Sequence, residues 1–209
     1  MVTLTFDVLR QQVRGDVIAA DDEGYEQARA VYNAMIDKRP VVVTRPVNAG
    51  DVIAAVNFAR ESRLPIAIRG GGHSVPGFGT VDGGVVIDLS RMRGVRVNPE
   101  KRTARAEGGA TWGDFNAATY PFGLATTGGI ISTTGVSGLT LGGGIGYLAR
   151  GFGLSLDNLI SADVVTADGK FLIASDKENE DLFWAIRGGG GNFGVLTSLE
   201  FRLHPVKDI

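Results

Sequence analysis

Arg69-Gly70-Gly71-Gly72-His73-Ser74, with Gly77 and Gly79 just beyond, is the stretch on which the fold turns. It follows Leu64-Pro65-Ile66-Ala67-Ile68, a short apolar run that reads as a buried strand. Glycines at the end of a strand let backbone N–H groups turn inward and approach a ligand closely. Arg69 adds positive charge at the same place. Such a bend suits a pyrophosphate. His73, one of two histidines in the chain, stands where that ligand would lie.

The surrounding composition narrows the possibilities. A chain of 209 residues accommodates one large domain or two small lobes. At 44% hydrophobic and 21% charged it has an ordinary globular composition. A net charge of -2 leaves no footprint for nucleic acid or an acidic membrane surface. No apolar run has the length of a bilayer span. Met1-Val2-Thr3-Leu4-Thr5-Phe6-Asp7 lacks a basic region followed by an apolar one, so no secretory leader is visible and the chain reads as cytoplasmic. The absence of cysteine excludes disulfides, thiolate nucleophiles and thioether links, and the two histidines with no dense carboxylate cluster argue against a metal centre. Glycine is the outlier, 31 residues gathered near 70–84, 108–113, 123–153 and 188–194. Glycine clustered between strand-like segments means backbone approaching something closely, several times.

Outward from the glycine bend, residues 8–38 read as helical with an acidic break at Asp21-Asp22-Glu23-Gly24. Pro40–Thr44 reads as a buried strand. Asn48 is placed to cap a helix reaching about Ser62, with Val52, Ile53, Val56 and Ala59 on one face. With Leu64–Ile68 this makes a β-α-β unit that carries the glycine bend at the carboxyl end of its second strand. Val85–Leu89 is a further strand. Gly94–Val97 and Arg102–Glu107 pair across Asn98-Pro99-Glu100. Thr111 caps a helix over 112–119. Residues 121–146 are rich in glycine, threonine and serine, yet Ile130, Ile131, Val136, Leu139 and Leu141 make them too apolar for a linker. Ala162–Thr166 and Lys170–Ala174 form a hairpin turned at Asp168-Gly169. Glu180–Arg187 is a short helix ended by Gly188, with Phe183 and Trp184 packing beneath it, and 194–203 is a final strand. The class is α+β: a small β-α-β lobe over about 1–90 and a larger, mainly antiparallel lobe over about 91–209, within a single domain. The glycine loops face each other between the lobes.

The P-loop pattern is absent, which removes an ordinary kinase or NTPase. Gly144-Ile145-Gly146-Tyr147-Leu148-Ala149 fits a relaxed Rossmann fingerprint, with Asp163 near the acidic spacing. It is a decoy, since Gly151 and Gly153 cut short the helix it should open and no uninterrupted strand precedes it.

Four blocks in order carry a stronger signal: Arg69–Ser74 with Gly77; Leu141-Gly142-Gly143-Gly144-Ile145-Gly146; Gly153-Leu154 with Asp157-Asn158; and Asp181-Leu182-Phe183-Trp184-Ala185-Ile186-Arg187-Gly188-Gly189-Gly190-Gly191-Asn192-Phe193-Gly194-Val195. Together, from about Pro40 to Pro205, the chain resembles the FAD-binding (PCMH-type) domain of the vanillyl-alcohol-oxidase-like flavoproteins, and within them the berberine-bridge-enzyme-like FAD-linked oxidases. The resemblance implies that Arg69, Gly70, Gly71, Gly72, His73, Ser74 and Gly77 hold the FAD pyrophosphate. It implies that His73 bonds covalently to the flavin 8α-methyl. The second FAD wall is then Thr133 to Gly146, through Thr133, Thr134, Gly135, Gly138, Leu141, Gly142, Gly143, Gly144 and Gly146. Gly194 and Val195 bring backbone against the flavin. Asn158 is a further candidate that a capping role equally explains. His204 matches no site motif and reads as a strand-end or surface residue. Many berberine-bridge relatives carry a second bond from a cysteine; Ile131 stands at that position here, so the resemblance implies a single covalent bond.

In that family a substrate-binding domain follows the FAD module and usually supplies the catalytic base. The present sequence stops at Val206-Lys207-Asp208-Ile209, where that domain would begin, so the substrate domain is expected to be absent from these residues. Tyr25, Tyr32, Tyr120 and Tyr147 fall in no recognisable base motif, the catalytic residue is unassigned, and the isolated chain is expected to be inactive. The implied parent activity is oxidation of a C–H bond of an alcohol, amine or sugar by hydride transfer to flavin N5, with reoxidation by O2. Two alternatives stand beside it: a non-catalytic flavin-binding module that works through a partner, and an NADPH-dependent UDP-sugar enolpyruvyl reductase of the same fold superfamily with non-covalent FAD.

Overall fold

The computed structural model describes residues 6–206; residues 1–5 and 207–209 lie outside the described residues. The chain runs through α1 (Asp7–Gln12), β1 (Asp16–Ala19), α2 (Tyr25–Arg29), β2 (Val42–Arg45), α3 (Ala49–Glu61), β3 (Ile66–Arg69) and β4 (Val85–Asp88). It continues through β5 (Val95–Asn98), β6 (Thr103–Glu107), α4 (Trp112–Thr119), β7 (Leu124–Ala125), α5 (Val136–Leu141) and α6 (Ala149–Phe152). It ends with β8 (Leu159–Val165), β9 (Phe171–Ser175), α7 (Glu180–Ile186), β10 (Val195–Arg202) and β11 (His204–Pro205). The class is α+β. One sheet has the order β1-β2-β4-β3 and the other β5-β6-β10-β8-β9, while β7 and β11 form a separate pair.

Residues 8–38 are not a helix broken once. α1 stops at Gln12 because the N–H groups of Arg14 and Gly15 donate to the Asp51 carboxylate at 3.1 Å each. That distant acceptor pulls the chain into β1, which pairs antiparallel with β2. The β-α-β unit also differs from its reading. β2, β3 and β4 are parallel, but β4 inserts between β2 and β3. The glycine bend therefore lies in the crossover from β3 to its neighbour β4.

α3 forms where expected. The Asn48 side chain accepts from the Asp51 amide, and Val52, Ala55, Val56 and Ala59 are buried. They share a core with Val42, Val85 and Ile87 of the first sheet and with Val165 and Val195 of the second. The second core centres on Trp112, Phe115 and Phe201, all fully buried and packed edge to face. α4 opens on the capping box of Thr111 and Asp114. Of the apolar residues in 121–146 that disqualified a linker, Val136, Leu139 and Leu141 lie in α5, with Val136 and Leu141 inside the second core, whereas Ile130 and Ile131 precede it and are exposed. The would-be Rossmann helix after Gly146 is α6, four residues long.

Gly146 lies against Gly128, and a Cβ there would sit 1.8 Å from the Gly128 carbonyl oxygen. Gly151 in α6 has open space around it. Gly146→Ala is expected to lower the unfolding free energy by about 2 kcal/mol or more. Gly151→Ala should leave it unchanged or raise it by up to about 1 kcal/mol. Urea unfolding of the two variants checks the contrast.

Candidate functional site

β3 delivers the chain into the glycine bend, which crosses the turn before α5 at van der Waals range. A Cβ on Gly71 would lie 2.2 Å from the Gly135 nitrogen, and one on Gly135 would lie 2.4 Å from the Gly71 nitrogen. A Cβ on Gly70 would press on the Ser137 hydroxyl, which is buried and donates to the Gly108 carbonyl at 2.7 Å. Gly72 adopts a left-handed φ of 71°. Among the described residues, the amides of Gly71, Gly72, His73 and Ser74 have no hydrogen-bond acceptor. Four successive unpaired donors on a glycine bend suit an oxyanion group such as a diphosphate.

His73 is half-buried at the end of this run. Its Nε2 and the Thr133 hydroxyl share a hydrogen bond of 2.9 Å. Its ring stacks on Tyr32, with centroids 4.2 Å apart and planes 16° from parallel. Sequence reasoning missed Tyr32 as a neighbour of the site, because it falls in the stretch read as helix. Ser137 was missed too, since a serine inside a glycine-threonine run carries no signal of its own.

The remaining candidates distribute along α5. Thr133 and Gly135 meet the bend at its start, and between them the Thr134 carbonyl accepts from the Trp112 amide at 3.0 Å. Gly138 faces outward, with no atom within 4 Å of where a Cβ would stand. Leu141 is buried at its end, where its carbonyl accepts from Gly188 at 3.0 Å. Gly142, Gly143 and Gly144 lead away from there, and Gly146 packs on Gly128. The bend at 69–74 is thus met by 133–137, and 142–146 lies one short helix further on. Gly194 backs onto the Val165 carbonyl, and Val195 is buried between the sheets.

Two candidates spend their side chains inside the protein. Arg69 was read as adding charge to the anion cradle. Its guanidinium instead donates to the carbonyls of Ala28 and Ala30 and pairs with Asp88 at 3.2 Å, and it is 6% exposed. It turns away because β3 alternates, so that Arg69 shares the inward face with Ala67. Burial pulls its pKa down from the ordinary value while Asp88 opposes the shift. The Asn158 amide donates to the carbonyls of Phe152 and Leu154 at 2.9 Å each, which is the capping alternative. In α7, Phe183 is buried beneath the helix but Trp184 is exposed; successive helical positions point about 100° apart, and only one of them reaches the core. Gly77 packs against Ile36, and Ser74 accepts from the Phe78 amide, so these two shape the bend behind the cradle.

These donors and the side-chain-free surface fit the phosphates of a dinucleotide. Residues 40–175 match the FAD binding domain family, and the chain belongs to that family. It is 39% identical over 194 residues to (R)-6-hydroxynicotine oxidase of Paenarthrobacter nicotinovorans, covering 93% of this chain and 42% of that protein. The solved structure of 6-hydroxy-D-nicotine oxidase from Arthrobacter nicotinovorans superimposes with a TM-score of 0.90 at 39% identity, over 92% of this chain and 43% of that one. The glucooligosaccharide oxidase of Acremonium strictum, described with a 6-S-cysteinyl, 8α-N1-histidyl FAD, gives 0.89 at 33%, over 96% and 42%. The fold is therefore that of the FAD-binding domains of berberine-bridge-enzyme-like oxidases, and the chain spans less than half the length of these relatives. No helix among the described residues is long and apolar enough to cross a membrane.

His204, set aside on sequence, is a structural device. It begins β11, stacks on Phe152 with centroids 4.0 Å apart, and its Nε2 meets the side-chain Oδ1 of Asn158 at 2.7 Å. Burial, with Arg202 nearby, lowers its pKa below 6.5. The folded state therefore takes up its proton at lower pH than the unfolded state does. Stability from this group is intact above about pH 6.5 and is lost as pH falls from there through the lowered folded value. The melting temperature should drop over that interval, and the His204→Gln variant, which keeps an amide donor for Asn158, should lose this component of the drop.

Proposed function

We propose that this chain is the FAD-binding module of an FAD-linked oxidase acting on an alcohol, amine or sugar, with the cofactor held by one covalent bond through His73. The observation that carries the reading is the run of unpaired amides from Gly71 to Ser74 ending at a half-buried imidazole. Gly71 to Ser74 hold the diphosphate through main-chain N–H groups. Thr133 to Gly138 form the opposite wall, where the missing side chain at Gly138 leaves room for a flat ligand. Gly142 to Gly146 and the 188–195 segment extend that wall, and Gly194 and Val195 bring main chain toward the ring. With no cysteine in the chain and Ile131 at the position read for a second attachment, a second bond of the thioether kind is chemically impossible.

When bound, FAD supplies two-electron chemistry, taking a hydride at N5 and passing the electrons to O2. The chain's own residues bind and orient it, and main-chain dipoles fixed by packing favour the negative charge of the phosphates without reorganising. In this reading the module is a single domain of two subdomains meeting near residue 90. A further C-terminal domain carries the substrate contacts and the base. Supporting this are the exposed apolar side chains of Ile130, Ile131, Ile145 and Tyr147, and the greater length of the relatives. Finding His73 alkylated would argue against the reductase alternative, which needs FAD free of covalent attachment.

Mass spectrometry of the acid-precipitated protein tests the bond. The purified protein should carry an added FAD mass that disappears in His73→Ala, and an added mass that survives this substitution would refute it. Residues 1–209 alone should show no substrate-dependent oxygen consumption in an oxygen electrode.

A further inference from the structure

We infer that Thr133 and Tyr32 are positioning residues that hold the His73 imidazole with Nε2 turned to the protein and Nδ1 free to form the flavin bond. The inference rests on the attachment proposed above and deepens it.

A neutral imidazole offers one nitrogen lone pair in the ring plane, and the hydrogen bond made by the other nitrogen decides which. The Nε2 edge of His73 is engaged by the Thr133 hydroxyl at 2.9 Å, and Nδ1 has no partner among the described residues. Donation from Nε2–H to Thr133 leaves the lone pair on Nδ1. Tyr32 does a different job. Its nearly parallel ring covers one face of the imidazole and stops it tilting, while Thr133 disfavours the half-turn that would exchange the nitrogens. Tyr32 is itself fixed. Its amide donates to the Gly72 carbonyl at 3.2 Å, and two residues earlier Ala30 is held by Arg69. The buried Arg69 guanidinium thus serves the site by anchoring the segment that carries Tyr32.

The step balances as follows. A bond forms between Nδ1 and the 8α-carbon, one C–H bond of the methyl group breaks, and the imidazole gives up its proton at Nε2, the edge facing Thr133. The electron pair from the methyl C–H bond reduces the isoalloxazine, which takes up two protons in all. Dioxygen then accepts the two electrons and two protons and leaves as hydrogen peroxide.

The test uses the full-length protein prepared without flavin and then given FAD in air. Three quantities are read: reversible FAD affinity, the rate of covalent mass gain after acid quench, and the nitrogen attached, by NMR of the isolated histidyl-flavin peptide. Wild type should attach through Nδ1. Thr133→Val should slow attachment about fivefold, the effect of one hydrogen bond, and release a fraction linked through Nε2. Thr133→Ser should restore both rate and regiochemistry. Tyr32→Ala should slow attachment and Tyr32→Phe should not, with all rates compared at saturating FAD so that a change in reversible affinity is read separately from the attachment step. Wild-type linkage through Nε2, or Thr133→Val and Tyr32→Ala that attach at the wild-type rate through Nδ1 alone, overturns the positioning roles and leaves attachment standing. A wild type that binds FAD reversibly and never gains mass overturns the attachment reading and this inference with it.

Discussion

Everything at the site depends on one close approach, main chain against main chain, between Gly71 and Gly135. The first belongs to the crossover between two parallel strands of one sheet, and the second to the turn that opens α5 beside the other core. Neither position has room for a Cβ, because each would enter the other's amide. Sealing the crossing there sets the two strands of chain against each other. Residues two steps away on each side, His73 and Thr133, then face one another at hydrogen-bonding distance. A methyl group at either glycine would separate the sheets locally and carry the imidazole away from its partner.

The second constraint is electrostatic. An arginine in the motif of the proposed diphosphate site invites the idea that the cation faces the anion. Here the charge is committed to Asp88 and to two carbonyls behind the bend, and Arg45 also reaches Asp88 at 3.2 Å. A buried guanidinium without these partners would be heavily penalised by desolvation, so the network that accepts it also fixes its direction. The groups left to face a ligand are amide dipoles. They are weaker singly than a guanidinium but are held by the fold at fixed positions, which suits a cofactor that stays in place.

Much was legible without coordinates wherever the signal was local. Asn48 and Thr111 cap the helices they were read to cap, because a side-chain oxygen reaching an amide three residues on needs no other part of the fold. The hairpin turned at Asp168-Gly169 and the antiparallel pairing of Val95–Asn98 with Thr103–Glu107 follow from turn chemistry and alternation. Apolar residues within a glycine-threonine stretch correctly excluded a linker, although they did not disclose that the stretch contained α5. The glycine bend was legible for the same reason, as a strand that ends in a run of glycines.

What escaped was whatever needed a partner far along the chain. Asp51 ends α1 from more than thirty-five residues away, and no periodicity within 8–38 records it. β4 inserts between β2 and β3 because parallel strands find neighbours by packing, not by order in the chain. The direction of Arg69, the retirement of Asn158 and His204 into a cap, and the arrival of Tyr32 over His73 all depend on which face of an element meets the core. The amino-acid order thus sets conformations that a few adjacent residues can stabilise among themselves, and it marks the chemistry that those residues carry. Orientation and neighbourhood belong to the folded whole, because they arise from contacts whose entropy of closure is met only when both cores assemble together.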